Sequence, residues 1–174
     1  MKRIVLLFLC ATFIYAGCDA HSTKDQVSDD STAESGKVNL TVKTDQLIQK
    51  GRDRLNLGTK SIRDIAQAMQ YFKEAIGTNP FDQRGYLLLG KTYMNVGSYN
   101  DAIFTFQSAL LVFPEDGLFN YLLSMCFFQL EDNGMATYNA QKSMDKYKKS
   151  KNIDQYKKSK KLFNSLLINS VRPQ

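Results

Sequence analysis

Tryptophan is absent from this sequence, histidine occurs once, and cysteine and proline occur three times each among 174 residues. The single histidine, His21, lies in a polar stretch near the start, so no Ser-His-Asp or Cys-His arrangement can be assembled from the remainder of the chain. No group of His, Cys and carboxylates has metal-ligand spacing, and neither GxGxxG nor a phosphate-loop pattern occurs. These absences argue against an enzyme and against a resident metal or cofactor. Of the cysteines, Cys10 falls in an apolar leader and Cys18 directly after it, which leaves Cys126 alone in the apolar run Tyr121–Leu130. A lone thiol cannot form an internal disulfide, and in that setting it reads as a small buried hydrophobe rather than a nucleophile. Positive charge is missing over a long stretch: Thr92–Gln141 holds no Lys or Arg, whereas Lys142–Gln174 holds nine Lys and Arg172 against Asp145 and Asp154.

What is present is helical periodicity with a repeat. Tyr86, Leu89, Gly90 and Tyr93 share one helical face, and Ala102, Phe106, Ala109 and Leu110 share another. Gly97, between them, supplies a left-handed turn position, and Pro114 stops the second helix. Pro80 precedes Pro114 by 34 residues, with Ala68, Phe72 and Ala75 before it as Ala102, Phe106 and Ala109 stand before Pro114. An earlier helix, Asp45–Leu57, contains Gly51 and ends at Gly58, and Ser61 reads as the cap of the next helix. A weaker third copy carries Leu123, Ser124, Phe127 and Ala136 at the expected offsets, with Ala140 where the large aromatic should be and no closing proline. Ile153–Val171 reads as one more amphipathic helix, covering the open edge of that third copy.

The segment Gln83–Asp116 resembles a tetratricopeptide repeat: Tyr86, Leu89-Gly90, Tyr93, Gly97, Tyr99, Ala102, Phe106, Ala109 and Pro114 follow the family pattern, with Tyr86 in place of the usual Trp. The resemblance implies an all-α superhelical solenoid of about three helix-turn-helix repeats (44–82, 83–116 and 117–148), closed by a basic capping helix over 149–174. It also implies protein binding in the groove formed by the first helix of each repeat. Mapped residue by residue, the family's groove positions fall on Ile48, Arg52, Leu55 and Asn56 in the first repeat. They fall on Arg84, Leu87, Lys91, Met94 and Asn95 in the second, and on Tyr121, Met125, Phe128 and Gln129 in the third. Cations there suit a carboxylate, the amides an extended backbone, and the apolar side chains an anchor residue.

The chain begins with Met1-Lys2-Arg3, a twelve-residue apolar core from Ile4 to Tyr15, and Ala16-Gly17-Cys18. The core is too short to span a bilayer comfortably. The pattern resembles a bacterial lipoprotein signal, which implies removal of residues 1–17, lipidation at Cys18 and anchorage to the inner or outer membrane. Tyr15 departs from that pattern, and ordinary cleavage after Ala20 stays open. Residues 18–43 are rich in Ser, Thr and Asp without apolar periodicity, which predicts a flexible tether. The expected function is therefore a lipid-anchored envelope adaptor that grips another exported protein. Short lipoproteins of this layout resemble assembly factors of pili and secretion systems. The alternative is attraction of the lysine-rich end (Lys157, Lys158, Lys160 and Lys161) to an anionic membrane or polyanion. The export signal argues against nucleic acid, and oligomeric state is open.

Overall fold

The computed structural model describes residues 31–56 and 61–171, with the side chains of 38–56 and 61–168. The leader, Cys18, the first part of the expected tether and the expected helix end at Gly58 lie outside the described residues. Among the described residues there are seven helices and no strand: α1 Ser31–Asn56, α2 Ile62–Thr78, α3 Gln83–Asn95, α4 Tyr99–Val112, α5 Gly117–Gln129, α6 Asn133–Lys149 and α7 Ile153–Val171. Each helix packs against the one before it and the one after it, the arrangement of a helical-repeat solenoid.

Side-chain caps start the helices. Ser61 accepts from the Asp64 amide at 3.1 Å. Asp82 accepts from Arg84 N at 2.9 Å, and Asp116, 34 residues later, from Leu118 N at 2.7 Å. Asp132 and Asn152 cap α6 and α7 in the same way. The turns between paired helices also repeat. Gly97 N bonds to Met94 O and Ser98 N to Tyr93 O. One period later Glu131 N bonds to Phe128 O and Asp132 N to Phe127 O. Gly97 has φ +78°, and Glu131, a residue with a Cβ, is held at φ +62° in the same role.

Small and large residues interlock where helices cross. Phe72 and Phe106 are fully buried, and a Cβ on Gly51 would lie 2.4 Å from the first ring and one on Gly90 2.2 Å from the second. The rings require the glycines. At the corresponding positions of the third repeat stand Ser124 and Ala140, both fully buried. With the ring gone, the helix carries a Cβ and a hydroxyl there. The face that Ala136 and Ala140 leave open is covered by Leu166 of α7, with Phe163 and Leu162 beside it. Cys126 is fully buried, and burial pushes its thiol up to about 11, as befits a core residue.

One boundary differs from the sequence reading. Helix α1 begins at Ser31, so 31–43, expected as tether, is helical. Val38, Leu40 and Val42 are exposed, and burial begins at Thr44, Leu47 and Ile48. The helix runs on through exposed Val38, Leu40 and Val42, because propagation from a formed helix adds one bond per residue without a new nucleus.

Candidate partner-binding surface

Contacts between the first helices of successive repeats define one side of the array. Asp45 of α1 pairs with Arg84 of α3 at 2.6 Å, and Lys158 of α7 lies over the Tyr121 ring of α5, 5.2 Å from its centroid. Helix α7 thus stands beside α5 as the first helix of a further repeat would. Leu87, Met94, Tyr121 and Met125 are half-buried, all against one core cluster that includes Tyr86, Phe106, Phe119 and Cys126. Phe128 keeps 37 % of its surface exposed. Arg52, Asn56, Lys91, Asn95 and Gln129 are exposed, and neither Arg52 nor Lys91 forms an ion pair among the described residues.

Three residues mapped to the groove, Ile48, Leu55 and Arg84, are engaged elsewhere. Ile48 is 2 % exposed and packs with Leu47 and Ala75, with Tyr71 and Leu88 alongside. It belongs to the contact between α1 and α2, and Leu55 is half-buried in the neighbouring cluster around Phe72. Arg84 is tied to its own fold. Its Nε lies 2.9 and 3.0 Å from the two oxygens of Asp82, and one terminal nitrogen reaches Asp82 at 2.5 Å and Asp45 at 2.6 Å. The hydrogen bonds to Asp82, and then to Asp45, hold the guanidinium above its ordinary pKa. The bond from Arg84 holds the Asp82 carboxyl below its own. A cation with two carboxylates already in place has little to gain from a third. Asp82, two residues before Arg84, was the local signal to weigh beside the spacing that mapped Arg84 onto the groove; Asp45 comes from 39 positions away.

One lysine of the basic segment reaches a residue mapped to the groove, and the others do not. Lys157, Lys160 and Lys161 are exposed along α7 and line a shallow depression with Asn164 and Ile168, while Lys158 reaches over Tyr121, a residue mapped to the groove. The sequence reading kept these two groups apart, because nothing local connects residues so distant in the chain. Among the described residues no group of three His, Cys, Asp or Glu is placed to hold a metal ion, and no helix is long and apolar enough to cross a membrane.

Residues 63–126 match the family model of the tetratricopeptide repeat, a span from α2 to α5. A search of curated proteins finds no significant match. Among solved structures, PcrH of Pseudomonas aeruginosa in complex with the chaperone-binding region of PopD superposes with a TM-score of 0.63 at 16 % identity, over 72 % of this chain and 92 % of PcrH. A type III secretion complex from Aeromonas hydrophila gives a TM-score of 0.66 at 14 % identity, over 83 % of this chain and 97 % of the other. The TPR2B domain of yeast Sti1, solved with an Hsp70 peptide, gives 0.64 at 16 % identity, over 74 % and 98 %. At such identities the likeness is one of fold: an all-α solenoid of the tetratricopeptide kind.

Proposed function

We propose that this protein is a lipid-anchored adaptor of the bacterial cell envelope, which binds another exported protein along the side formed by α3, α5 and α7, and that it serves assembly of a pilus, secretion or other envelope complex. The observation that supports this most directly is the juxtaposition of half-buried Leu87, Met94, Tyr121 and Met125 with cations that have no carboxylate partner among the described residues, Lys91 on α3 and Lys158 above Tyr121. Apolar side chains that are only partly covered supply anchor contacts, and free cations at their edge orient an acidic segment. That PcrH was solved with a region of PopD, and the Sti1 domain with an Hsp70 peptide, is in keeping with this reading. Anchorage rests on the resemblance of residues 1–18 to a lipoprotein signal, with Cys18 as the acceptor.

Lys91→Glu/Lys158→Glu is the variant of choice, since both side chains are exposed, neither forms an ion pair among the described residues, and their reversal leaves the core untouched. Full-length protein and variant serve as baits for affinity capture from native envelope, with mass spectrometry of what is retained. One dominant exported protein lost from the folded variant supports the groove reading, and identical retention overturns it. The mass of the mature N-terminus decides the anchor separately. A diacylated Cys18 is expected, and a free amine at any other residue refutes lipidation.

A further inference from the structure

The second helices form an outer side of the array. Between α2 and α4 on that side lies an open cleft of about 380 Å³, floored by Tyr86, Leu89 and Tyr93 of α3. On α3 the stripe through Tyr86, Leu89 and Tyr93 is turned by roughly 130° from the one through Leu87, Lys91 and Met94, at 100° per residue. The cleft therefore faces away from the surface of the proposed function, and nothing in that proposal uses it. Phe104 of α4 stands at its rim and keeps 72 % of its surface exposed. A large ring left in water beside an open apolar cleft puts a knob and a hole on one face.

The rest of that face is balanced about the ring. The charged residues that line the cleft are Lys73 of α2 and Asp101 of α4, one of each sign. Both are exposed, and neither forms an ion pair among the described residues. Lys73 lies over the floor, 6.0 Å from the centroid of the Tyr93 ring. On the 34-residue period Lys73 corresponds to position 107 of α4, three after Phe104, and Asp101 is three before it. Ile62 corresponds to position 96, eight before Phe104, and Leu111 lies seven after it. Both are exposed, and at helical spacing Ile62 shares the stripe of Lys73, and Leu111 that of Phe104. Opposite charges thus stand at equal distances on either side of Phe104, and apolar side chains at nearly equal ones. A two-fold contact sets each residue opposite the one equally far beyond the axis, so it requires a self-complementary patch of this kind.

We propose that this face binds a second copy of the same chain, with α4 antiparallel to α4 of the other copy and the two-fold axis at the level of Phe104. Each Phe104 ring is buried against the cleft of the other copy. Lys73 of one copy comes level with Asp101 of the other, and Leu111 with Ile62. Burial of the two rings drives association, and the two charge pairs set its direction, since a parallel arrangement would bring Lys73 level with Lys73 and Asp101 with Asp101. A foreign segment of one charge sign would leave either Lys73 or Asp101 opposed, which favours the second copy over a charged peptide. The α3, α5 and α7 side of each copy points away from the contact, so the dimer presents two of them.

Sedimentation equilibrium of the full chain in mild detergent tests this. A dimer is expected. Phe104→Ser is expected to weaken it at least about a hundred-fold, because two rings return to water. Lys73→Asp and Asp101→Lys are each expected to weaken it about ten-fold, because each sets like charges together twice. An equimolar mixture of these two single variants is expected to regain the dimer of the unaltered chain, since one copy then carries two acids at the contact and the other two lysines. Mixing cannot restore a contact within one chain, so that recovery separates the dimer from an internal effect of either residue. All three positions are exposed and outside the core, and the helical circular dichroism of each variant checks its fold. A monomer at every concentration would overturn the proposal. So would a dimer indifferent to Phe104→Ser, as one held by the apolar leader would be, or a mixture no tighter than either variant alone.

Discussion

The second and third repeats share a backbone and differ in how space is filled. In the second, Phe106 presses on a bare Gly90, Gly97 makes the turn, and Tyr86 floors the outer cleft. In the third, Ala140, Ser124, Glu131 and Asn120 hold those places. The same helices form, with the first helix of each capped by an aspartate (Asp82, Asp116) and the same turn bonds, so the large residues are not what makes a helix pair. What they decide is closure. The second repeat closes on itself and its neighbours, whereas the third needs Leu166 and Phe163 of α7 over its alanines and keeps a polar, incompletely satisfied wall. A terminal repeat that loses its large residues thereby comes to depend on the next helix in the chain.

The sharpest test of this difference is to convert one repeat into the other. Phe106→Ala should cost about 3–5 kcal/mol in urea unfolding, as for a fully buried aromatic. Gly90→Ser alone should also destabilise, because its Cβ would lie 2.2 Å from the ring. In the double variant the serine should add little, since Ser124 and Ala140 already coexist in the third repeat. Strictly additive losses would break the equivalence of the two sites. Leu166→Ala comes next, at about 2–4 kcal/mol, with a loss near zero showing that α7 does not close the third repeat.

Smaller effects of both signs should follow at the turn. Glu131→Gly should raise stability by about 0.5–1 kcal/mol, the relief of a left-handed residue less the added freedom of the unfolded chain, and Gly97→Ala should lower it by about 1 kcal/mol. Thermal melts that move both variants in one direction would refute the shared turn geometry. The smallest effect is electrostatic. Asp45→Asn should cost about 0.5 kcal/mol, because that pair is half exposed, its side chains 43 % and 52 % accessible. The Asp82 carboxyl titrates below its unfolded value, so its contribution is present above about pH 4 and lost as the pH falls through the folded value. Arg84→Met should flatten that acid limb, and an unchanged pH profile would show that the pair contributes nothing.

The helices of the second repeat were legible residue by residue because each came from local rules: an apolar stripe at helical spacing, a turn glycine, a stop proline. Helix α7 was legible in the same way, and so was the Ser61 cap. Less was visible at α1, where polar residues without periodicity read as tether. Periodicity reports burial, and an exposed helix that propagates from a packed one has none to report. The candidate surface was half legible. Apolar positions such as Leu87 and Tyr121 are set by the repeat register. The state of a charged residue depends on what the fold brings to it, as Asp45 is brought to Arg84 from 39 positions away.

By itself the sequence determined the all-α class, the 34-residue period, the capping helix, the burial of Cys126 and the separation of an acidic body from a basic end. Each of these depends on residue type and spacing alone. The tertiary structure decided that Arg84 is occupied while Lys91 forms no ion pair among the described residues, that Lys158 lies over Tyr121, and that Asn120 Oδ1 is buried without a partner among them. Those outcomes depend on which side chains arrive within hydrogen-bond distance across helices, and that distance is set by the small residues at the crossings rather than by any local pattern.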